Sequence, residues 1–195
     1  MKDHVIGVVG NPNCGKTTLF NALTGTKQRV GNWPGVTVDR KSGEYDHGGK
    51  KIEVVDLPGI YSLSAASLDE EVARDYILSG ESDLIVNIID ASNLERNLYL
   101  TVQLLEMQVP IVIALNMMDM AKERRIEIDI PLLSKKLDCP VIPLVAKQGE
   151  GIADLRATIN HYASLKSASE LDVAYPVEIQ EAVASLVPMI NKAAQ

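Results

Sequence analysis

Short, unbroken runs of branched apolar residues alternate along the chain with longer stretches whose apolar positions recur every three or four residues. Residues 5–9, 84–89 and 111–115 are runs of the first kind, the mark of strands buried on both faces. Residues 141–145 form a weaker run, placed near a sheet edge by Pro143. Residues 36–45 and 51–55 flank the turn signal Asp46-His47-Gly48-Gly49 and predict a hairpin. Between these runs, residues 18–23 read as a helix stopped by Gly25. Two capping boxes, at Ser67 to Glu70 and Ser92 to Glu95, predict helices to about Leu78 and Gln108, and residues 152–162 predict another. The reading is an α/β domain with a six-stranded, mostly parallel sheet flanked by helices.

Two stretches break the pattern. Residues 26–37 have no period and carry Gly31, Pro34 and Gly35, so a mobile loop is expected, with Trp33 exposed in it and reporting nucleotide state by fluorescence. Residues 166–175 read as a linker. In 176–195, Ile179, Val183, Leu186, Val187 and Ile190 keep helical spacing, and Pro188 is expected to end or kink that helix. One such helix cannot bury its stripe alone. The division is therefore a domain at 1–165, a linker at 166–175, and the first helix of a truncated helical domain at 176–195; the competing reading packs that helix back on the first domain.

Composition narrows the class. A chain of 195 residues with 46% hydrophobic content supports one such domain. A formal net charge of −7 argues against a nucleic-acid surface. Two cysteines, Cys14 and Cys139, make no disulfide framework and suit a reducing compartment, and no apolar run approaches a membrane span.

The chemistry begins at Gly10-Asn11-Pro12-Asn13-Cys14-Gly15-Lys16-Thr17-Thr18, which fits the phosphate-binding pattern G-x-x-x-x-G-K-[ST] between a strand and a helix. Gly10 and Gly15 let successive N–H groups turn toward phosphate oxygens, the helix N-terminus favours an anion, Lys16 reaches the outer phosphates and Thr17 is placed to ligate Mg²⁺. Asp56-Leu57-Pro58-Gly59 closes the hairpin with a carboxylate for Mg²⁺ and a glycine N–H for the γ-phosphate. Asn116-Met117-Met118-Asp119 follows the strand at 111–115 and resembles the Asn-Lys-x-Asp guanine motif. Asp119 can accept from two donors that adenine lacks, Asn116 would tie this loop to the phosphate loop, and Met117 would cover the base where lysine is usual. Val145-Ala146-Lys147 resembles Ser-Ala-Lys, with the Ala146 N–H facing guanine O6. Thr37 is the mobile-loop threonine expected to sense Mg²⁺ and the γ-phosphate.

Residues 29–38, Arg-Val-Gly-Asn-Trp-Pro-Gly-Val-Thr-Val, make the resemblance specific. With Gly10 to Asn21, Asp56 to Leu63 and Asp90 to Leu98, this stretch resembles the cytosolic G domain of the FeoB ferrous-iron transporter family over about residues 3–165. The resemblance implies a Ras-like fold with an antiparallel second strand, slow GTP hydrolysis, and control of Fe²⁺ uptake through a membrane permease on the same full-length chain. The domain would lie at the cytoplasmic side of the bacterial inner membrane. It implies as partners GTP and GDP, that permease and small cytosolic Feo accessory proteins, with no nucleic acid and oligomer formation left open. By the same resemblance Asn13 would hold K⁺ beside the phosphates, joined by backbone carbonyls near Gly31 and Trp33. Asn13, Lys16, Thr37 and Gly59 would then carry catalysis, because Ile60 stands where Ras-like enzymes place a water-orienting glutamine. Cys14 replaces the family's usual serine and reads as a plain exchange or as a redox sensor. The rival readings are an RNA-associated GTPase of ribosome assembly or tRNA modification, and a nucleotide switch with negligible turnover.

Overall fold

The computed structural model describes residues 2–25, 28–171 and 173–193, and the side chains of Asn191 and Ala193 are left aside. Thr26, Lys27 and Asp172, which open the expected loop and sit in the expected linker, lie outside the described residues, as do Met1, Ala194 and Gln195 at the outer domain bounds. Among the described residues, seven strands make one sheet in the order β2-β3-β4-β1-β5-β6-β7. They are β1 (His4–Gly10), β2 (Gln28–Asn32), β3 (Asp39–His47), β4 (Lys50–Gly59), β5 (Leu84–Asp90), β6 (Ile111–Asn116) and β7 (Val141–Pro143). β4, β1, β5, β6 and β7 pair in parallel, while β3 is antiparallel to both of its neighbours. The sheet thus has one strand more than the pattern predicts. β2 is the addition: it pairs only with β3, from Gln28 on Gly43 to Asn32 on Asp39, and every residue in it is exposed. An edge strand with no buried face leaves no alternation for the sequence to display.

The helices are α1 (Lys16–Thr24), α2 (Leu68–Ser79), α3 (Leu94–Glu106), α4 (Met118–Glu123), α5 (Ile130–Leu137), α6 (Ile152–Leu165) and α7 (Val177–Ala193). Successive residues of the buried strands face opposite ways. In β5, Ile85 and Ile89 join Ala73, Tyr76, Leu100 and Leu104 of α2 and α3. Leu84, Val86 and Ile88 join Leu19, Phe20 and Leu23 of α1 with Leu155 and Ile159 of α6. The result is three layers, and it directs the carboxyl ends of the parallel strands to one edge, where ligands of open α/β sheets sit.

Local signals explain most boundaries. The Ser67 hydroxyl accepts from the Glu70 N–H at 3.3 Å and starts α2, and Gly80 ends it at φ 69°. The second capping box behaves differently: Asp90 caps a short 3₁₀ turn at 91–93 by accepting from the Ser92 N–H, and α3 begins only at Leu94. Pro188 lies inside α7, which continues past it to Ala193. Val177, Ile179, Val183, Leu186, Val187 and Ile190 of α7 are all exposed.

Candidate nucleotide site

β1 ends in the phosphate-loop sequence and α1 starts at Lys16, with Gly15 at its N-cap in a left-handed conformation, φ 94°. A Cβ on Gly15 would lie 2.3 Å from Asn116 Nδ2, and one on Gly10 would lie 2.4 Å from the Ile88 carbonyl oxygen, so both positions require glycine. Asn13 also has positive φ, 66°, a conformation asparagine tolerates better than most residues. Its side chain is exposed, as are Thr17 and Thr18, whereas Asn11 is buried with both side-chain polar atoms unpartnered.

Lys16 Nζ donates to Asp56 Oδ1 at 2.6 Å, bringing two of the sequence-predicted groups together. Their charges compensate in a pocket where each side chain is at most 14% exposed. A phosphate oxygen must therefore compete with Asp56 for Lys16. Thr17 and Asp56 offer the hard oxygen donors that suit Mg²⁺. Gly59 packs beside Pro12, and the Ile60 N–H donates to the Gly10 carbonyl at 3.1 Å, so the segment after β4 is fastened to the phosphate loop. The Ile60 side chain is 2% exposed and belongs to the core. Beyond it, Glu70 accepts from the Ser62 and Ser64 hydroxyls and the Ala66 N–H at 2.9–3.1 Å; these bonds, that from Ser62 first, hold its carboxyl below the usual range. The sequence reading had no role for this clasp, although the capping box points to Glu70.

Asn116 joins three segments. Its Nδ2 donates to the Cys14 carbonyl at 2.9 Å, and its Oδ1 accepts from the Ala146 N–H at 3.0 Å. The amide expected to face guanine O6 is thus engaged by Asn116, and a base would have to share or displace it. Met117, φ 62°, turns the chain into α4, which brings Asp119 into the first turn, half-buried and bonded to the Met120 N–H at 2.9 Å. Val145 is buried and Lys147 exposed.

Three expectations change. Trp33 is 6% exposed: its ring meets Tyr76 edge-on at 5.2 Å, and the Arg40 guanidinium lies 4.7 Å from its centre. Gly31 belongs to β2, where it is registered on Arg40, while Thr37 is exposed in the connection to β3. Neither is gathered with Asn13 and Lys16 in a contact. Cys14 sits at a helix N-terminus, which would lower a thiol pKa, yet burial pushes it up to about 11. Burial thus opposes the thiolate that a redox sensor needs and favours the plain exchange.

A family model described as Ferrous iron transport protein B matches residues 4–159. The Fe(2+) transporter FeoB of Escherichia coli K12 is 54% identical over 181 residues, which is 91% of this chain and 23% of that protein. The chain therefore spans about a quarter of the length of the curated relatives it matches. The cytosolic domain of L. pneumophila FeoB superposes with TM-score 0.89 at 46% identity, covering 98% of this chain and 75% of that one. An S. thermophilus NFeoB variant bound to mGDP superposes with TM-score 0.89 at 42% identity, over 97% of this chain and 72% of that one.

Proposed function

The chain belongs to the ferrous iron transport protein B family, and from that premise we propose that it is a GTP-binding, slowly GTP-hydrolysing domain that regulates Fe(II) uptake through a permease on the same full-length chain. The observation that carries the nucleotide reading is the pair of bonds made by Asn116, which holds the phosphate loop, the Asp119 segment and the Ala146 segment at one edge of the sheet. The mGDP-bound relative supports it. Residues 1–165 form the G domain, 166–175 the linker, and 176–195 open a helical domain. The G domain lies at the cytoplasmic side of the inner membrane, where small Feo accessory proteins and further copies of the chain are its candidate partners.

The chain's own residues divide the work. The N–H groups of Asn11 and of Asn13 to Thr18, with the Lys16 ammonium, bind the phosphates once Lys16 leaves Asp56. Asp119 accepts from the guanine edge, with Met117, Val145, Ala146 and Lys147 around the base. Thr17, Thr37 and Asp56 would hold Mg²⁺, and Asn13 would hold K⁺ with backbone carbonyls of Gly31 and Trp33. Bound there, such cations would supply positive charge against the developing phosphate charge, a part played by an arginine finger elsewhere. Gly59 presents its N–H to the γ-phosphate. Ile60, held in the core, orients no water.

One titration with one turnover assay tests this. GTP and GDP should bind with negligible competition from ATP, a discrimination of about 10⁴ or more when the Asp119 carboxylate, covered by a bound base, would face adenine's lone pair. Asp119→Asn should lose that preference. Phosphate release should be faster in K⁺ than in Na⁺ at matched ionic strength, and Asn13→Ala should remove the difference while GDP binding persists. Comparable ATP affinity would sink the base assignment, and equal turnover in the two salts would sink the cation assignment.

A further inference from the structure

Trp33 is the one tryptophan in the chain, and the sequence around it has the composition of a mobile loop, yet it is lodged in the molecule. Its ring is held from two sides by Arg40 of β3 and Tyr76 of α2. Arg40 also lies 5.8 Å from the Tyr76 ring centre and 3.9 Å from Glu81, so one guanidinium caps both rings. The Tyr76 ring in turn rests on β1, where a Cβ on Gly7 would be 3.2 Å from it. The backbone is fixed as well: the Trp33 N–H donates to the Val38 carbonyl at 2.9 Å, and the Trp33 carbonyl accepts from Val36 at 3.3 Å.

This lodging has a positional consequence. In the sheet order, β2 is separated from β1, which carries the phosphate loop, by β3 and β4. At about 4.8 Å per strand, Gly31 stands roughly 14 Å to the side of β1. Its backbone is paired with Arg40, and the Trp33 carbonyl is already bonded. Thr37 is tethered four residues from the lodged ring. While Trp33 stays lodged, these bonds hold Gly31 and the Trp33 carbonyl in the sheet edge, and Thr37 is confined between the lodged ring and the start of β3.

The lodging is also incompletely satisfied. Trp33 Nε1 and the Tyr76 hydroxyl are both buried with no hydrogen-bond partner. Each unpaired buried polar group offsets part of what ring burial contributes. A cavity of about 300 Å³ beside the rings, lined by Pro34, Val36, Arg40, Val72 and Tyr76, leaves the indole room to withdraw.

We propose that Trp33 is a latch that holds the switch loop away from the nucleotide, and that Arg40 and Tyr76 are positioning residues that set how readily GTP releases it. This rests on the assignment of Thr37, Gly31 and Trp33 to the γ-phosphate and its cations. Because the docked form is competent for GDP and not for the closed GTP site, weakening the dock should tighten GTP binding and leave GDP binding unchanged. If the docked population is of order 70–90%, abolishing it tightens the apparent affinity for a GTP analogue about three- to tenfold.

The experiment measures GDP and non-hydrolysable GTP analogue affinities with Mg²⁺ and K⁺ present, alongside tryptophan emission, for the wild type and three variants. Arg40→Ala should tighten the analogue about three- to tenfold relative to GDP, and its emission should be red-shifted even with GDP. Tyr76→Leu, which keeps apolar bulk, should do the same. Arg40→Lys keeps a cation over the rings and should behave as wild type, a rescue that a merely structural role does not predict. Wild-type emission should shift to the red on adding the analogue but not on adding GDP. Identical wild-type emission in the two states, or an unchanged affinity ratio in both Arg40→Ala and Tyr76→Leu, would overturn the latch with the nucleotide reading intact. Failure of the wild type to bind GDP would overturn the nucleotide reading and the latch together.

Discussion

The two cysteines show how far burial outweighs a favourable local charge. Cys14 lies at the start of α1 and beside Lys16, both of which favour a thiolate, but burial dominates and pushes its pKa up to about 11. Burial pushes Cys139 up to about 12, with Asp138 adding to the effect. Both thiols should therefore resist alkylation at pH 8 in the native protein and react quickly in denaturant, as counted by intact mass. The same shifts fix a sign for stability. An unfolded thiol titrates near 9, below either native value, so the unfolded chain sheds protons first as the pH rises. The contribution of the two thiols to stability should be flat below pH 9 and be lost as pH rises toward 11, so stability over that range should fall less in the double variant Cys14→Ser with Cys139→Ser. Denaturant midpoints at pH 8 and pH 10 decide it; equal slopes in the two proteins would contradict the assignment. At this scale the sequence is legible wherever chemistry needs a residue type at a spacing, as from Gly10 to Thr18. It is not legible where a remote partner decides. Gly31, Pro34 and Gly35 say loop, and only Tyr76 and Arg40, brought up by α2 and β3, bury Trp33 between them.

Among the elements, β5 and α3 share a polar seam that apolar patterning hides. Asn87 sits in the middle of the apolar run at 84–89 with no exposed surface. Its Oδ1 accepts from the Thr101 hydroxyl of α3 at 2.7 Å, and its Nδ2 reaches the Val9 carbonyl of β1 at 3.4 Å. Thr101→Val keeps the shape of the side chain but strands a buried acceptor, which costs about 1–3 kcal/mol. For a chain of this length that lowers Tm by about 2–4 °C per kcal/mol. Adding Asn87→Leu should recover part of the loss, because the stranded Asn87 acceptor is then gone, at the cost of its long bond to the Val9 carbonyl. A thermal melt of Thr101→Val that matches wild type would refute the seam's contribution. The elements that sequence patterning leaves out are β2, α4 and α5, and each lacks a readable period for a reason. β2 is exposed throughout. α4 is 6 residues long and starts from the left-handed Met117. α5 has 8 residues, with a cap at Asp129 and Pro131 in its first turn, too short for a helical stripe to repeat.

Over the whole molecule, the two cores account for both faces of the sheet without any described side chain of α7. The linker contributes Leu171 to the larger one, Ser169 bonds the Leu137 carbonyl at 3.2 Å, and the Tyr175 hydroxyl bonds Glu106. The chain is therefore fastened as far as Tyr175. Beyond it, α7 presents Val183, Leu186, Val187, Met189 and Ile190 to solvent, each at least 47% exposed. An exposed apolar stripe of this kind marks a surface that other protein covers, and a helix that contributes no core side chain adds little to the stability of the sheet. Ending the chain after Tyr175 should leave Tm within about 2 °C of the intact chain, well under the shift from one buried-core truncation. It should also leave the affinity for GDP unchanged and reduce the binding of a hydrophobic dye. Melting, GDP titration and dye fluorescence on the two chain lengths give the answer. A drop in Tm of more than about 5 °C would mean that α7 is covered by the sheet domain in solution, since only lost burial on that scale moves a domain so far.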